Sequence, residues 1–328
     1  MKMDLKEAIF NIKSENNFND LSVKVFLHQY RENSVYRNFV NALKVDPGRI
    51  RNFRDIPFLP ITFFKTHKVV CGDDPAEITF LSSGTTGMER SRHCLTNISI
   101  YRRSIIEGFN FFFGAPSGFT LFALVPSREE NPDSSLGFMV DLLMELSHPD
   151  SKNFFLHDFH ALSESLRSLK KGKKKVILIG LTSSLLDFGE LSGEILNESI
   201  IIETGGMKGK KKELIREDLH KQLCKLFNVT KIHSEYGMTE LLSQAYSKGD
   251  GIFRSPPWMK VLIRDINDPL TLLGPGKSGG INIIDLANFN SCSFIATQDL
   301  GRSDEKNRFE ILGRFDESDI RGCNLMVI

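Results

Sequence analysis

The 328-residue chain carries 42 Lys and Arg against 41 Asp and Glu, a net charge of +1, so no field gathers nucleic acid or acidic lipid. Hydrophobic residues make up 41%, enough for a large core and one or two domains, and 26 phenylalanines suit a bulky apolar core or an apolar ligand tunnel. The cysteines, Cys71, Cys94, Cys224, Cys292 and Cys323, are odd in number, widely spaced and without a C-x-x-C pair, which excludes a disulfide framework and a zinc site and predicts a reducing, cytoplasmic setting.

Residues Met1–Phe10 lack the apolar h-region of a signal peptide, and no run approaches the ~18 apolar residues of a membrane span. Residues 4–45 read as helices: Leu21, Val25, Leu27, Phe39, Val40 and Leu43 recur at roughly helical spacing, and Pro47-Gly48 closes the segment. Pro57 and Pro60 then break any helix and predict an extended entry through Ile61 to Lys65, with Lys65 facing solvent or a phosphate.

Glu77–Leu81 (EITFL) reads as a strand, and Ser82-Ser83-Gly84-Thr85-Thr86-Gly87 follows it. Two glycines let the backbone approach a ligand, and four hydroxyls with free N–H groups can face an anion. Arg90 and Arg92 come next, and a helix begins near Thr96. Chemistry alone leaves two readings open, a polyphosphate cradle and a flexible polar loop.

Between residues 77 and 234 strands and helices alternate. Phe119–Val125, Val176–Gly180, Ser199–Ile202 and Val229–His233 read as strands; Ser134–Leu146, His160–Leu169 and Glu213–Phe227 read as helices. Strands apolar on both faces, alternating with helices, predict a parallel sheet covered on both sides, with ligands at the strands' carboxyl ends. Thr204-Gly205-Gly206 and Tyr236-Gly237-Met238-Thr239-Glu240 both fall at such ends. The latter can place Glu240 on Mg²⁺ and Thr239 on a phosphate, or can be a strand-to-helix turn capped by Thr239.

Past residue 250 short strands with Gly, Pro, Asn and Asp turns (Val261–Ile266, Gly280–Ile284, Ser293–Thr297, Arg308–Leu312) predict a β-rich part. Gly274–Gly279 matches G-x-G-x-x-G, but a strand follows it instead of a helix, so no dinucleotide site is predicted. The lysine runs at 170–175 and 208–212 read as solvated helix ends or loops. Cys323, beside Arg321, can be a lowered-pKa nucleophile or a small buried thiol.

SSGTTG, YGMTE and Gly313-Arg314-Phe315-Asp316, in that order, resemble the adenylate-forming enzymes, which make acyl-adenylates from a carboxylate and ATP. Within that superfamily, Phe58–Lys65 and Asp319–Cys323 most resemble the acyl-protein synthetase (LuxE-type) family; the likeness covers roughly residues 50 to 328. It implies an α/β large domain of mostly parallel sheets covered by helices, with a β-rich C-terminal subdomain and no small C-terminal lobe. It further implies a helical cap (1–50), a nucleotide- and acyl-binding core (51–250) and a β-rich subdomain ending at a hinge-like segment (251–328).

The same resemblance assigns the residues. Ser82, Ser83, Gly84, Thr85, Thr86, Gly87 and Arg92, with Gly205, Gly206 and Gly237, would hold ATP. Tyr236 would stack near adenine, Thr239 would contact the phosphate and Glu240 the Mg²⁺. Asp299, in Ala296–Gly301, would bind the ribose, though it can equally be a turn residue; Arg314 would contact the nucleotide, Asp316 would act as a hinge, and Cys323 would carry the acyl group. Two departures stand out. Met88-Glu89-Arg90 replaces the usual Pro-Lys, so Arg90 or Arg92 must supply the charge, and the chain ends at Ile328, before the small lobe and its adenylate-gripping lysine. The expected activity is ATP-dependent activation of a fatty or aryl acid with transfer to a protein thiol. The alternatives are a phenylacetate-type CoA ligase and a non-catalytic scaffold for an acyl reductase or acyl carrier protein.

Overall fold

A strand such as Val176–Gly180, apolar on both faces, is stable only where helices or sheets cover both sides. The computed structural model describes residues 5–83, 89–151, 154–169, 175–205 and 216–315. In chain order the elements are α1 (Leu5–Ile9), α2 (Glu15–Glu32), α3 (Ser34–Ala42), β1 (Leu59–Pro60), α4 (Phe63–Thr66), β2 (Ile78–Leu81), β3 (Arg92–Leu95), α5 (Ile98–Phe113), β4 (Phe119–Leu124), α6 (Ser135–Leu146), α7 (Phe159–Leu169), β5 (Lys175–Leu181), α8 (Thr182–Ser192), β6 (Ile200–Thr204), α9 (Arg216–Phe227), β7 (His233–Tyr236), β8 (Ala245–Ser247), β9 (Phe253–Arg254), β10 (Met259–Arg264), β11 (Ser278–Asp285), β12 (Phe294–Ser303) and β13 (Arg308–Arg314). They fall into two compact units, one of Met1–Ile78, Glu89–Asn97 and Arg254–Ile328, the other of Thr79–Met88 and Ile98–Phe253. Among the described residues no helix is long and apolar enough to cross a membrane.

In the second unit β4, β5, β6 and β7 run parallel, and Leu124, Gly180, Glu203 and Ser234 pair successively across them. β8 joins β7 antiparallel, with Tyr236 opposite Ala245. Phe122, Leu178, Leu185, Phe188, Leu223 and Phe227 lie in one buried cluster, each such side chain worth about 1.5–3 kcal/mol. Ser134 caps α6 by accepting from the Gly137 N–H at 3.0 Å. Gly180 lets α8 turn back onto the sheet, since a Cβ there would sit 2.9 Å from both Leu124 and Leu185.

In the first unit β10, β11, β12 and β13 form an antiparallel meander, and β1 adds to β12 in parallel through Leu59 opposite Ile295. The helices of residues 5–42 belong to this same unit. Gln29 is fully buried; its Nε2 donates to Asn288 O, Phe289 O and Ser293 Oγ, and its Oε1 accepts from Ser293 N–H. Asn33 caps α3 at Tyr36 N–H and donates to Ser291 O. Satisfying all these groups makes burial of two amides tolerable.

Several elements depart from the sequence reading. The entry after Pro60 is extended only at Leu59–Pro60, and Phe63–Thr66 is one helical turn, because proline restricts the residue before it and leaves the next free to turn. The strand expected at Val229–His233 lies instead at His233–Tyr236. Asn228, at φ 52°, ends α9, Val229 N–H returns to Cys224 O, and Val229 and Ile232 fill the core from a loop. β12 runs on to Ser303, so Asp299 is a strand residue and not a turn residue. The α8 helix, directly after β5, lacks an N-terminal side-chain cap to announce it.

Candidate active site

Three parallel strands of the second unit end side by side, and their ends carry this unit's candidates. β5 ends at Leu181, and Thr182 opens α8. β6 ends at Thr204, followed by Gly205, which is exposed with φ +35°, a left-handed value that favours glycine. β7 ends at Tyr236, which is buried with its ring against the edge of Phe253, centroids 6.0 Å apart. A Cβ at Gly237 would lie 2.5 Å from Glu235 Oε1, so any side chain there would have to displace that carboxyl.

Beyond Gly237 a turn closes with Leu241 N–H on Met238 O at 3.1 Å, then the chain enters β8. Thr239 is half-buried and Glu240 buried within this turn. No helix follows, so Thr239 is not a helix cap. Among the described residues no group of three His, Cys, Asp or Glu side chains could hold a metal ion. One buried carboxylate fits Mg²⁺, which characteristically takes one or two carboxylates and completes its shell with phosphate oxygens and water.

Beneath these turns lie two acids that the strand pattern did not single out. Glu203 (β6) accepts from Thr182 Oγ1 at 3.0 Å, and His220 Nε2 lies 3.6 Å away. Burial pushes the Glu203 carboxyl up, but hydrogen bonds from His220 and Ser234 and the charge of Arg216 outweigh it and hold the group below its usual value. Glu235 (β7) accepts from Thr204 Oγ1 at 2.6 Å. Its carboxyl is pushed up to about 7, chiefly by burial, with the neighbouring Glu203 charge adding and the Thr204 bond opposing. For Glu203 the signal in the sequence was an acid closing the apolar run Ile200–Ile202; Glu235, in the polar strand HSEY, carried no such signal. Burial lowers His233 to about 4, so its ring is neutral near pH 7 and packs against Phe113.

At the head of this unit Ser82 is half-buried and Ser83 exposed just after β2, where Leu81 N–H donates to Asp133 O. Gly84, Thr85, Thr86, Gly87, Gly206, Asp316 and Cys323 lie outside the described residues.

The first unit holds the remaining candidates. Asp299 on β12 stands opposite Arg314 on β13, with Nε to Oδ1 at 3.3 Å; Arg314 is 58% exposed and Asp299 12%. Asp299 N–H donates to Thr297 Oγ1, which leaves the carboxylate directed by the strand. Behind it Arg264 is buried, donating to Ile281 O, Asn282 Oδ1 and Thr297 O at 2.6–2.8 Å with its guanidinium over Phe315. Gly280 is required there, because a Cβ would meet the guanidinium at 2.6 Å. Arg264→Met should therefore lower unfolding free energy by about 2–4 kcal/mol, since three buried acceptors lose their donor. Denaturant titration reads this directly, and an unchanged midpoint overturns it. Arg92, on β3, is exposed, with Nη2 3.5 Å from Lys65 O.

The family model described as acyl-protein synthetase, LuxE, matches residues 8–328. The chain belongs to the LuxE acyl-protein synthetase family. A curated relative, the long-chain-fatty-acid–luciferin-component ligase of Photorhabdus luminescens, is 36% identical over 70 residues, 21% of this chain and 60% of that protein. Among solved structures, ATP-bound MatB from Rhodopseudomonas palustris superposes with TM-score 0.54 at 17% identity, over 74% of this chain and 49% of that one. An open 2-hydroxyisobutyryl-CoA ligase, in complex with 2-HIB-AMP and CoA, gives TM-score 0.68 at 12% identity, over 93% and 72%. The LuxE-family chain thus has the expected α/β fold of the adenylate-forming enzymes, and spans about half of MatB and 60% of the curated relative.

Proposed function

We propose that this LuxE-family chain activates a carboxylic acid, fatty or aryl, with ATP and passes the acyl group to a protein thiol. The observation that carries the reading is the placement of YGMTE: Tyr236 ends a central parallel strand and Glu240 is buried in the turn beyond it, in a chain that matches the family from residue 8 to 328. In the first step the acid's carboxylate oxygen bonds to the α-phosphorus and the bond to pyrophosphate breaks. In the second a thiolate bonds to the acyl carbon and AMP leaves with its bonding electrons. The chain contributes position and charge. Ser82, Ser83 and the glycines and threonines after them cradle the phosphates, aided by Arg92, Gly205, Gly206 and Gly237. Thr239 donates to a phosphate oxygen, Tyr236 packs near the base, Asp299 accepts from the ribose hydroxyls and Arg314 adds charge. Mg²⁺, held through Glu240, supplies charge neutralisation.

The acceptor is Cys323, or the thiol of an acyl reductase, an acyl carrier protein or CoA. Cys71, Cys94, Cys224 and Cys292 are not joined in disulfides, and a reducing, cytoplasmic setting is part of this reading.

ATP–pyrophosphate exchange over a panel of carboxylic acids tests the reading. Exchange that depends on one class of acid supports it, and none with any acid leaves a scaffold. Glu240→Gln should shift the Mg²⁺ titration of that exchange upward by about tenfold or more while the protein stays folded, the scale on which metal sites respond to losing even supporting contacts. A titration superimposable on wild type would make Glu240 structural.

A further inference from the structure

We propose that Glu235 is a positioning residue of the nucleotide site, holding Gly205 and the Tyr236–Gly237 step in one register. This rests on the ATP reading above and names a residue which that reading does not use.

The geometry is one short polar contact on each face of the sheet at the strand ends. Thr182, which opens α8, donates to Glu203 of β6; on the other face Thr204 of β6 donates to Glu235 of β7 at 2.6 Å. Thr204 is the residue before Gly205, and Glu235 is two residues before Gly237. The free oxygen of Glu235 fills the space that a Cβ at 237 would need. The same carboxyl therefore fixes both turns, one through a hydrogen bond and one through contact. A buried acid with a single donor is costly where nothing depends on it, and 8% exposure leaves water little room to compensate.

The groups facing Glu235 are few. Glu203, on β6, turns to the opposite face of the sheet toward His220 of α9 and reaches Glu235 only through its charge. Tyr246 of β8 stands directly opposite, its phenol pushed up by burial and then by Glu235. His233, on the same strand, is neutral near pH 7. No cation among these touches Glu235 itself. When its proton leaves near pH 7, a buried negative charge appears at the end of β7, within the field of Glu203, and repels an incoming polyphosphate.

The sign for stability follows from the raised value. The folded state keeps its proton between about 4.5, where an exposed glutamate titrates, and about 7. Stability from this group is complete below the lower value, falls as pH rises through that window, and is flat above it. Glu235→Gln removes the fall, because the amide is neutral throughout and its oxygen still accepts from Thr204.

Three measurements on wild type, Glu235→Gln and Glu235→Ala test the proposal. ATP affinity, read without acid substrate, should be equal in wild type and Gln at pH 6, and weaker in wild type by about tenfold at pH 8, the ligand's own ionisation cancelling in the ratio. The Ala variant should bind about tenfold more weakly at both pH values. In protein labelled isotopically at glycine, the Gly205 and Gly237 amide signals should move in Ala and return to the wild-type positions in Gln. Parallel pH profiles for wild type and Gln would overturn the proposal, as would unmoved glycine signals in folded Ala. If none of the three binds ATP, the nucleotide reading has failed, and the glycine signals alone decide whether Glu235 positions the two turns.

Discussion

Replacing Thr85 and Thr86 together with alanine is expected to slow acid-dependent ATP–pyrophosphate exchange by roughly 10²-fold or more, the loss seen when preorganised donors are removed from developing negative charge. β2 ends at Leu81 and β3 begins at Arg92, so the Ser/Thr/Gly run occupies the connection between two regular elements. Its threonine hydroxyls donate hydrogen bonds without carrying charge, and its glycines admit close backbone approach. Alanine removes two donors and leaves the glycines in place, so the thermal unfolding midpoint should stay near wild type. Unchanged exchange in a folded double variant would remove this segment from the nucleotide site.

Cys323→Ser is expected to abolish hydroxylamine-sensitive labelling from radioactive acid while retaining ATP–pyrophosphate exchange. Adenylation and thiol transfer are separate steps, and only the second needs the sulfur. Three of the other cysteines are poor acceptors on physical grounds. Burial pushes Cys71 up to about 12 and raises Cys292 still further, and Cys224 is raised by burial as well. Near pH 7 these remain thiols, while the nucleophile is the thiolate. Alanine at Cys71, Cys94, Cys224 or Cys292 should leave labelling intact. Labelling through Cys323 should rise with pH as its thiolate forms, with a midpoint below the free-thiol value of about 8.5 if Arg321 assists. Full labelling of Cys323→Ser, or acylation only of added CoA, would end the self-acylation reading and favour a CoA ligase.

The parallel sheet was legible in the chain because β4 and β5 are apolar on both faces apart from Thr120 and the terminal Lys175, and such strands require cover on both faces. The rejection of Gly274–Gly279 as a dinucleotide loop was legible for a similar local reason: Ser278–Asp285 that follows is a strand. The order and type of the strand-end segments, and the family, likewise lay in contiguous residues.

Tertiary structure decided the rest. Thr204 met Glu235, and Glu203 met Ser234 on the other face, only when β6 and β7 were set in register. Asp299 met Arg314 only through the pairing of β12 with β13. Gln29 and Asn33, polar residues in a helical pattern, are buried because Asn288, Phe289, Ser291 and Ser293 supply acceptors and donors from the far end of the chain. Hydrophobic period records which side chains leave water within one element. A buried polar group is stable only through partners supplied by other elements, and those partners are set by strand register and packing, which no local period contains.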